Sequence, residues 1–244
     1  MELIKLKSKK NWITVVFLGL ILVIGYFSFY ENKENIVMEP LKEKENEIFL
    51  PQPQQTGDFS IERALSERRS IRDYEDEPLS LKEVSQILWS AQGITAPQSG
   101  GRTVPSAGAT YPLEVYLVVR KAESLTPGSY RYLPEKHKLV RISEGQLSSQ
   151  LAEAALFQMF IAEAPVNLVF SAVFERTTRG YGDRGIQYVY MEAGHAAQNV
   201  YLQAESLGLG TVVVGAFEDE EIKKILALPE QEIPLYIMPV GKIK

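Results

Sequence analysis

Hydrophobic and polar positions along this chain repeat with two periods, and most secondary-structure elements can be predicted from them. Helical spacing of apolar residues runs through "SLKEVSQILWSAQG", where Ser80 and Glu83 can form a capping box and Gly93 suits the C-terminal stop. A shorter helix is predicted to begin after Ser60, a residue type that favours helix N-termini. Further helices are predicted at residues 145–158, at residues 184–207 and from Asp219.

Strand patterns fill the intervals between these helices. Apolar or alternating runs predict strands at "LEVYLVV" (113–119), after Pro165, at "TVVVG" (211–215) and at "PLYIMPVG" (234–241). The segment "SYRYLPEKHKLVRI" predicts a hairpin that turns at residues 134–138. Because strands and helices alternate irregularly, the pattern indicates the α+β class rather than a regular βαβ array.

The first part of the chain has a different pattern. Residues 12–30 carry no charge, and a run of this length predicts a single membrane-spanning helix. A cleaved signal peptide is the alternative, although no small-residue cleavage site follows the run. The basic segment 1–11 favours a cytoplasmic N-terminus and an extracytoplasmic domain at the cell membrane, with the opposite topology left open. An acidic, Pro- and Gln-rich tether is predicted at 31–56, and one folded domain at 57–244.

Composition excludes several classes of function. A net charge of -5 and a pI near 5.3, with no basic stripe, argue against nucleic-acid binding. The absence of cysteine excludes thiolate metal sites and cysteine nucleophiles, and with only two histidines and no H-E-x-x-H no metal site is predicted. The motif G-x-S-x-G is absent, and "GLGTVVVG" lacks the dinucleotide-binding G-x-G-x-x-G pattern.

The stretch "RRSIRDYEDEPLS" contains the first candidate binding residues. Arg68, Arg69 and Arg72 surround Ser70 within five positions. Such a cluster is often a solvated face, but guanidinium groups are also the side chains best suited to bind a phosphate. Both interpretations stay open on these residues alone.

Two small-residue turns are the other candidates. "TVPSAGATYPLEVY" places Pro105, Ser106 and Gly108 just before a predicted strand, where backbone N–H groups and a hydroxyl can approach a ligand closely. "VVVGAF" places Gly215 at the end of another strand. Taken singly, each segment is equally compatible with an ordinary turn.

Together these segments resemble a known family. "RRSIRDY", "PSAGATYPLEVY", "GHAAQNVYLQAESLGLGTVVVGAF" and "PVGK" occur in the order found in nitroreductase-like FMN-dependent oxidoreductases, and over residues 58–244 they are most similar to the SagB-type dehydrogenase (thiazole-oxidase) branch. The resemblance implies a mostly antiparallel sheet flanked by helices and a homodimer that binds FMN at the subunit interface. It also implies hydride transfer, from NADH, NADPH or another donor, to a small-molecule or peptide substrate.

The resemblance also assigns roles to individual residues. Positive charge suits the FMN phosphate and the anion that forms on a reduced flavin ring. The implied cofactor-binding set contains the phosphate residues, the turn against the isoalloxazine, the strand end near flavin N5 and a C-terminal lysine: Arg68, Arg69, Ser70, Arg72, Pro105, Ser106, Gly108, Val214, Gly215 and Lys242.

One departure from the branch affects the expected chemistry. Enzymes that oxidise azolines carry a Lys-Tyr pair where this chain has Gly180-Tyr181, so a general base is missing and azole formation is not expected. Tyr181 is the candidate catalytic proton donor, with an exposed loop tyrosine as the alternative, and His195 is assigned to packing or an interface. Rival functions are flavin storage without turnover and a flavin-free domain that only binds a partner.

Overall fold

The structure, a computed structural model, describes residues 46–244. The basic segment 1–11, the membrane helix predicted at 12–30 and most of the tether predicted at 31–56 lie outside these residues. Within 46–244, none of the helices has both the length and the apolar character needed to cross a bilayer.

The described residues form nine strands: β1 Glu47–Phe49, β2 Ile94–Ala96, β3 Gly101–Arg102, β4 Leu113–Val119, β5 Gly128–Leu133, β6 Lys138–Glu144, β7 Val166–Ala172, β8 Leu209–Thr211 and β9 Ile233–Lys242. Seven of them form one sheet in the order β1-β6-β5-β4-β7-β9-β8, and every neighbouring pair is antiparallel. Strands β2 and β3 pair separately. The α+β prediction with a mostly antiparallel sheet is therefore confirmed.

Helices cover this sheet and carry the capping signals predicted from the sequence. Their bounds are α1 Ile61–Glu67, α2 Leu81–Gln92, α3 Ser148–Ala154, α4 Phe160–Glu163, α5 Glu175–Tyr181, α6 Arg184–Ser206 and α7 Asp219–Leu226. At the start of α2, the Glu83 N–H donates to Ser80 Oγ at 3.3 Å and the Ser80 N–H donates to Glu83 Oε2 at 2.7 Å. The predicted capping box is present.

The core lies on both faces of the sheet because successive strand residues point in opposite directions. Leu117 packs in the cluster that contains Val189 and Val200 of α6, whereas the next residue, Val118, packs in the cluster that contains Ile222 of α7. Central strands buried on both faces explain why "LEVYLVV" reads as a continuous apolar run. This packing holds α6 along one face of the sheet. The candidate site described below is built around this long helix.

Three boundaries differ from the prediction. The folded part begins before the predicted boundary at 57, because β1 pairs with β6 and Leu50 is buried in the core. A three-residue strand is too short to show a period, so it was assigned to the tether. The helix predicted at 145–158 stops at Ala154, and "TVVVG" contributes only its first residue to β8.

Candidate active site

The first group of candidate residues, here called the arginine cluster, consists of Arg68, Arg69, Ser70 and Arg72. Arg68 follows the last residue of α1, and its guanidinium lies over the Tyr201 ring of α6, 5.1 Å from the ring centroid. Ser70 Oγ lies 3.1 Å from Tyr201 Oη, which also accepts a hydrogen bond from the Val213 N–H at 2.8 Å. Tyr201, which sequence reasoning missed, therefore joins the cluster to the chain that leads to Gly215.

The remaining arginines differ in their contacts. Arg69 Nη1 donates to the carbonyl oxygens of Ser66, Glu67 and Arg68, so this side chain caps the end of α1. Arg72 is exposed and lies 5.8 Å from the centroid of the Phe160 ring. Within residues 46–244, none of the three arginines forms a salt bridge. A chain with a net charge of -5 thus keeps three adjacent positive charges without a carboxylate partner.

The strand end predicted to approach a cofactor follows β8, which lies beside this cluster in the fold. The Ile71 N–H donates to the Thr211 carbonyl at 2.9 Å, so the arginine segment runs beside β8. Val214 exchanges backbone hydrogen bonds of 2.8 and 2.9 Å with Ile237. A Cβ built on Gly215 would come no closer than 3.8 Å to another group, the Tyr236 ring. The backbone at Gly215 is therefore accessible from one side.

Lys242 lies next to the same segment, but its charge is already paired. The Glu75 N–H donates to the Lys242 carbonyl at 3.0 Å. The Lys242 ammonium, however, donates to Glu77 Oε2 at 2.5 Å. The structure thus places the backbone of Lys242 near the arginine cluster without leaving its ammonium free for a phosphate.

The second group, the turn cluster, consists of residues 105–111 together with Tyr181. Ser106 Oγ accepts a hydrogen bond from the Tyr111 N–H at 2.9 Å, which closes the turn. Gly108 has φ 58°, and a Cβ there would lie 2.6 Å from Tyr181 Oη. This left-handed conformation favours glycine, and the tyrosine hydroxyl lies directly against the turn. The structure therefore brings together three predicted residues, Ser106, Gly108 and Tyr181, that are far apart in sequence.

A buried acid lies behind this turn and was not predicted as a site residue. Glu192 of α6 is 3% exposed, and burial raises its pKa to about 7, although the Ser106 hydroxyl and Arg102 act in the opposite direction. In the sequence, the signal for this residue was a glutamate at helical spacing from Val189 and Ala196, which are both buried. An ionisable side chain in the apolar stripe of a helix is a candidate functional residue.

The two clusters contact opposite faces of α6. Glu192 adjoins the turn cluster and Tyr201 adjoins the arginine cluster. Nine helical positions separate these residues by about 13.5 Å along the axis and about half a turn around it. Within one chain, the two halves of the predicted site therefore face in different directions.

Comparison with known proteins assigns the chain to a family. The model of the nitroreductase family matches residues 65–242, so the chain belongs to that family. Its relatives include the Methanocaldococcus jannaschii protein MJ1384, which carries a nitroreductase name and is 54% identical over 80% of this chain and 96% of its own length. A nitroreductase crystal structure from Ralstonia eutropha JMP134 matches with a TM-score of 0.73 and 31% identity, over 82% of this chain and 90% of that one.

Two more distant relatives indicate the range of activities. The microcin B17-processing protein McbC of Escherichia coli is 28% identical over 76% of this chain and 69% of its own length. The NAD(P)H-dependent FMN reductase of Bacillus subtilis is 27% identical over 73% of this chain and 64% of its own length. Together with the family match, these relatives make the chain an FMN-dependent oxidoreductase of the nitroreductase family.

Proposed function

We propose that this chain catalyses two-electron transfer from NADH, NADPH or another donor to a small-molecule or peptide acceptor. FMN, when bound, supplies a carrier that takes up a hydride and passes it on. The arrangement of charges in the described residues suits that cofactor. Arg68 and Arg72 offer positive charge without a carboxylate partner, and Gly215 offers an accessible backbone.

In this proposal Arg68, Ser70 and Arg72 bind the phosphate of FMN. Arg69 supports them indirectly, because its guanidinium caps α1 and so holds the segment that follows. The observation that carries the assignment is that none of the three arginines has a carboxylate partner among residues 46–244, whereas seven of the eight other arginines there form ion pairs, with Arg184 as the exception. Charge-assisted bonds to a phosphate would compensate that positive charge.

We propose that the turn cluster reaches the same FMN from a second copy of the chain. The two clusters lie on opposite faces of α6, so one copy supplies the arginine cluster and the other supplies Ser106, Gly108 and Tyr181. Helix α6 leaves an apolar surface for such contact, because Ile186, Tyr190 and Met191 are exposed. Gly194 is exposed on the same helix, and nothing lies within 4 Å of a Cβ built there. The proposed assembly is a homodimer.

Tyr181 is proposed to donate a proton to the acceptor. Its hydroxyl lies against Gly108, at the turn that would face the flavin. We place the chain in the SagB-type branch, to which its relative McbC lends support. Because Gly180 occupies the position of the lysine in azoline-oxidising members, reduction of a small acceptor is proposed rather than azole formation.

The location of the enzyme is also a proposal. The uncharged run 12–30 after a basic segment supports a single-pass anchor with the catalytic domain outside the cytoplasm. Protease added to intact cells should then remove the domain. If the domain survives until the membrane is permeabilised, it faces the cytoplasm and a nicotinamide becomes the natural donor.

The main test uses the purified full chain. It should be yellow, release FMN rather than FAD on heating, and oxidise NADH or NADPH when a quinone or nitroaromatic acceptor is present. Cofactor identity is checked by chromatography and turnover by absorbance. Flavin binding without turnover with any donor would favour a storage role, and a colourless protein that does not bind added FMN would overturn the proposal.

A further inference from the structure

A buried polar network lies directly behind the turn cluster. Arg102 of β3 donates to Gln92 Oε1 at 3.1 Å, and its guanidinium lies 4.5 Å from the centroid of the Tyr111 ring. Tyr111 is joined to Ser106 by the 2.9 Å hydrogen bond that closes the turn, and Ser106 adjoins Glu192 of α6. The network thus connects α2, β3 and α6 to the turn.

Three buried atoms of this network lack hydrogen-bond partners among the described residues: Gln92 Nε2, Arg102 Nε and Glu192 Oε1. Buried polar groups are nearly always hydrogen-bonded, because an unsatisfied group keeps its full desolvation cost. By contrast, the similarly buried Glu232 accepts bonds from Tyr116 Oη at 2.8 Å and Ser171 Oγ at 2.6 Å through one oxygen. The incomplete bonding of Glu192 is therefore not a general property of buried acids in this fold.

The Ser106 hydroxyl can donate its single hydrogen to either of two acceptors. Its oxygen already accepts from the Tyr111 N–H, so its hydrogen is free to be donated. A charged Glu192 would attract that hydrogen, whereas a protonated Glu192 would release it toward a ligand on the turn. Burial raises the pKa of Glu192 to about 7, so both states are accessible near neutral pH.

Several other charged and titratable groups lie around the network. Arg102 is the cation that faces Glu192, and it is itself paired with the exposed Glu135 at 2.9 Å. The phenols of Tyr111 and of Tyr181 lie at the turn, and His195 of α6 is exposed. Among these side chains, Glu192 is the buried carboxylic acid.

We propose that Glu192 is a positioning residue whose protonation decides whether the Ser106 hydroxyl donates to Glu192 or to the ligand held by the turn. This inference rests on the proposed function in that it takes the ligand to be FMN. Binding of FMN would then be tighter when Glu192 is protonated than when it is charged. The flavin site would be coupled to pH through a residue that touches neither the cofactor nor the substrate.

The test measures the dissociation constant of FMN for the full chain between pH 5.5 and 8.5 by flavin fluorescence. The natural chain should lose about tenfold in affinity as the pH rises through about 7, the effect of one hydrogen bond. Glu192→Gln cannot ionise and should lack this step. Glu232→Gln, a matched buried acid outside the network, should keep it. Titration of the FMN phosphate itself contributes equally to all three profiles.

A second measurement does not depend on flavin. Because folding raises the pKa of Glu192 above its unfolded value, the resulting stabilisation is complete below the unfolded pKa and is lost as the pH rises through about 7. The melting temperature of the flavin-free natural chain should therefore fall over this range relative to that of Glu192→Gln. Absence of this difference would show that Glu192 does not titrate there and would overturn the inference.

If Glu192→Gln does not fold, Ser106→Ala provides a second test. It keeps Glu192 and removes the hydroxyl through which Glu192 is proposed to act. It should abolish the pH step in FMN affinity but retain the pH dependence of the melting temperature. A step that persists in Ser106→Ala would show that Glu192 does not act through Ser106. Failure of the natural chain to bind FMN at any pH would instead refute the proposed function, whatever the melting temperatures show.

Discussion

The arginine cluster comes from one five-residue segment, whereas the turn cluster is assembled from a turn and the end of α5, with a buried network behind them. The first has positive charge in excess. The second carries no charge, and its turn holds Gly108, Ala109 and Tyr111 at positive φ angles. Strained backbone of this kind persists only where surrounding contacts hold it. The comparison suggests that one half of the site attracts an anion and the other half holds a fixed surface against it.

This division of roles has its largest expected consequence at the proposed subunit contact. Gly194→Trp should convert the dimer to a monomer and weaken FMN binding by on the order of 100-fold, a loss of about 2.7 kcal/mol. The reason is that each FMN would lose the turn cluster of the second copy, while the open space at Gly194 lets the fold accept the new side chain. Light scattering and flavin fluorescence measure the two effects.

The control for this variant is Gln150→Trp, which adds the same side chain to an exposed position of α3. It should remain dimeric and bind FMN normally. A Gly194→Trp monomer that binds FMN as tightly as the natural chain would show that both clusters serve one ligand within a single copy, or that the turn cluster serves none.

A chemical difference between the clusters is expected at Tyr181. Tyr181→Phe should lower turnover by about 100-fold, the typical contribution of a general acid, while FMN affinity changes little. Tyr130→Phe is the control, because the Tyr130 hydroxyl donates to the Thr126 carbonyl at 2.6 Å and belongs to neither cluster. Steady-state rates at saturating donor measure the effect. Equal rates in the two variants would leave Tyr181 a packing residue of the turn.

The arginine cluster should show the opposite profile, with binding affected and chemistry spared. Arg68→Ala should weaken FMN by about 1.5–3 kcal/mol, roughly 10- to 150-fold, because a charged phosphate partner is lost. Arg120→Ala is the comparison: Arg120 bonds to the carbonyls of Glu163 and Ala164 and pairs with Asp76, so it should change the melting temperature rather than FMN affinity. Equal FMN affinity in both variants would identify the cluster as a solvated face.

The two clusters also differ in how much of each could be predicted from the sequence. The arginines are adjacent in the chain, so their shared role could be inferred from composition and spacing, as could the capped helix α2. The contact of Tyr181 with Gly108 depends on how α5 packs against the turn, and no local pattern contains that information. Tyr201 lies inside a quoted motif and Glu192 lies two residues before it, but their roles depend on which face of α6 each residue occupies.

The smallest expected effect concerns Lys242, the last predicted phosphate residue. Its ammonium is paired with Glu77, so Lys242→Ala should weaken FMN by less than about threefold and leave the melting temperature almost unchanged, because exposed ion pairs contribute little to stability. Glu77→Gln sharpens the test, since it frees the ammonium without removing it. If the freed lysine then binds the phosphate, FMN affinity rises in Glu77→Gln and returns to the natural value in the double variant. A tenfold loss in Lys242→Ala alone would mean that the lysine leaves Glu77 when FMN binds, and the arginine cluster would then not hold the phosphate by itself.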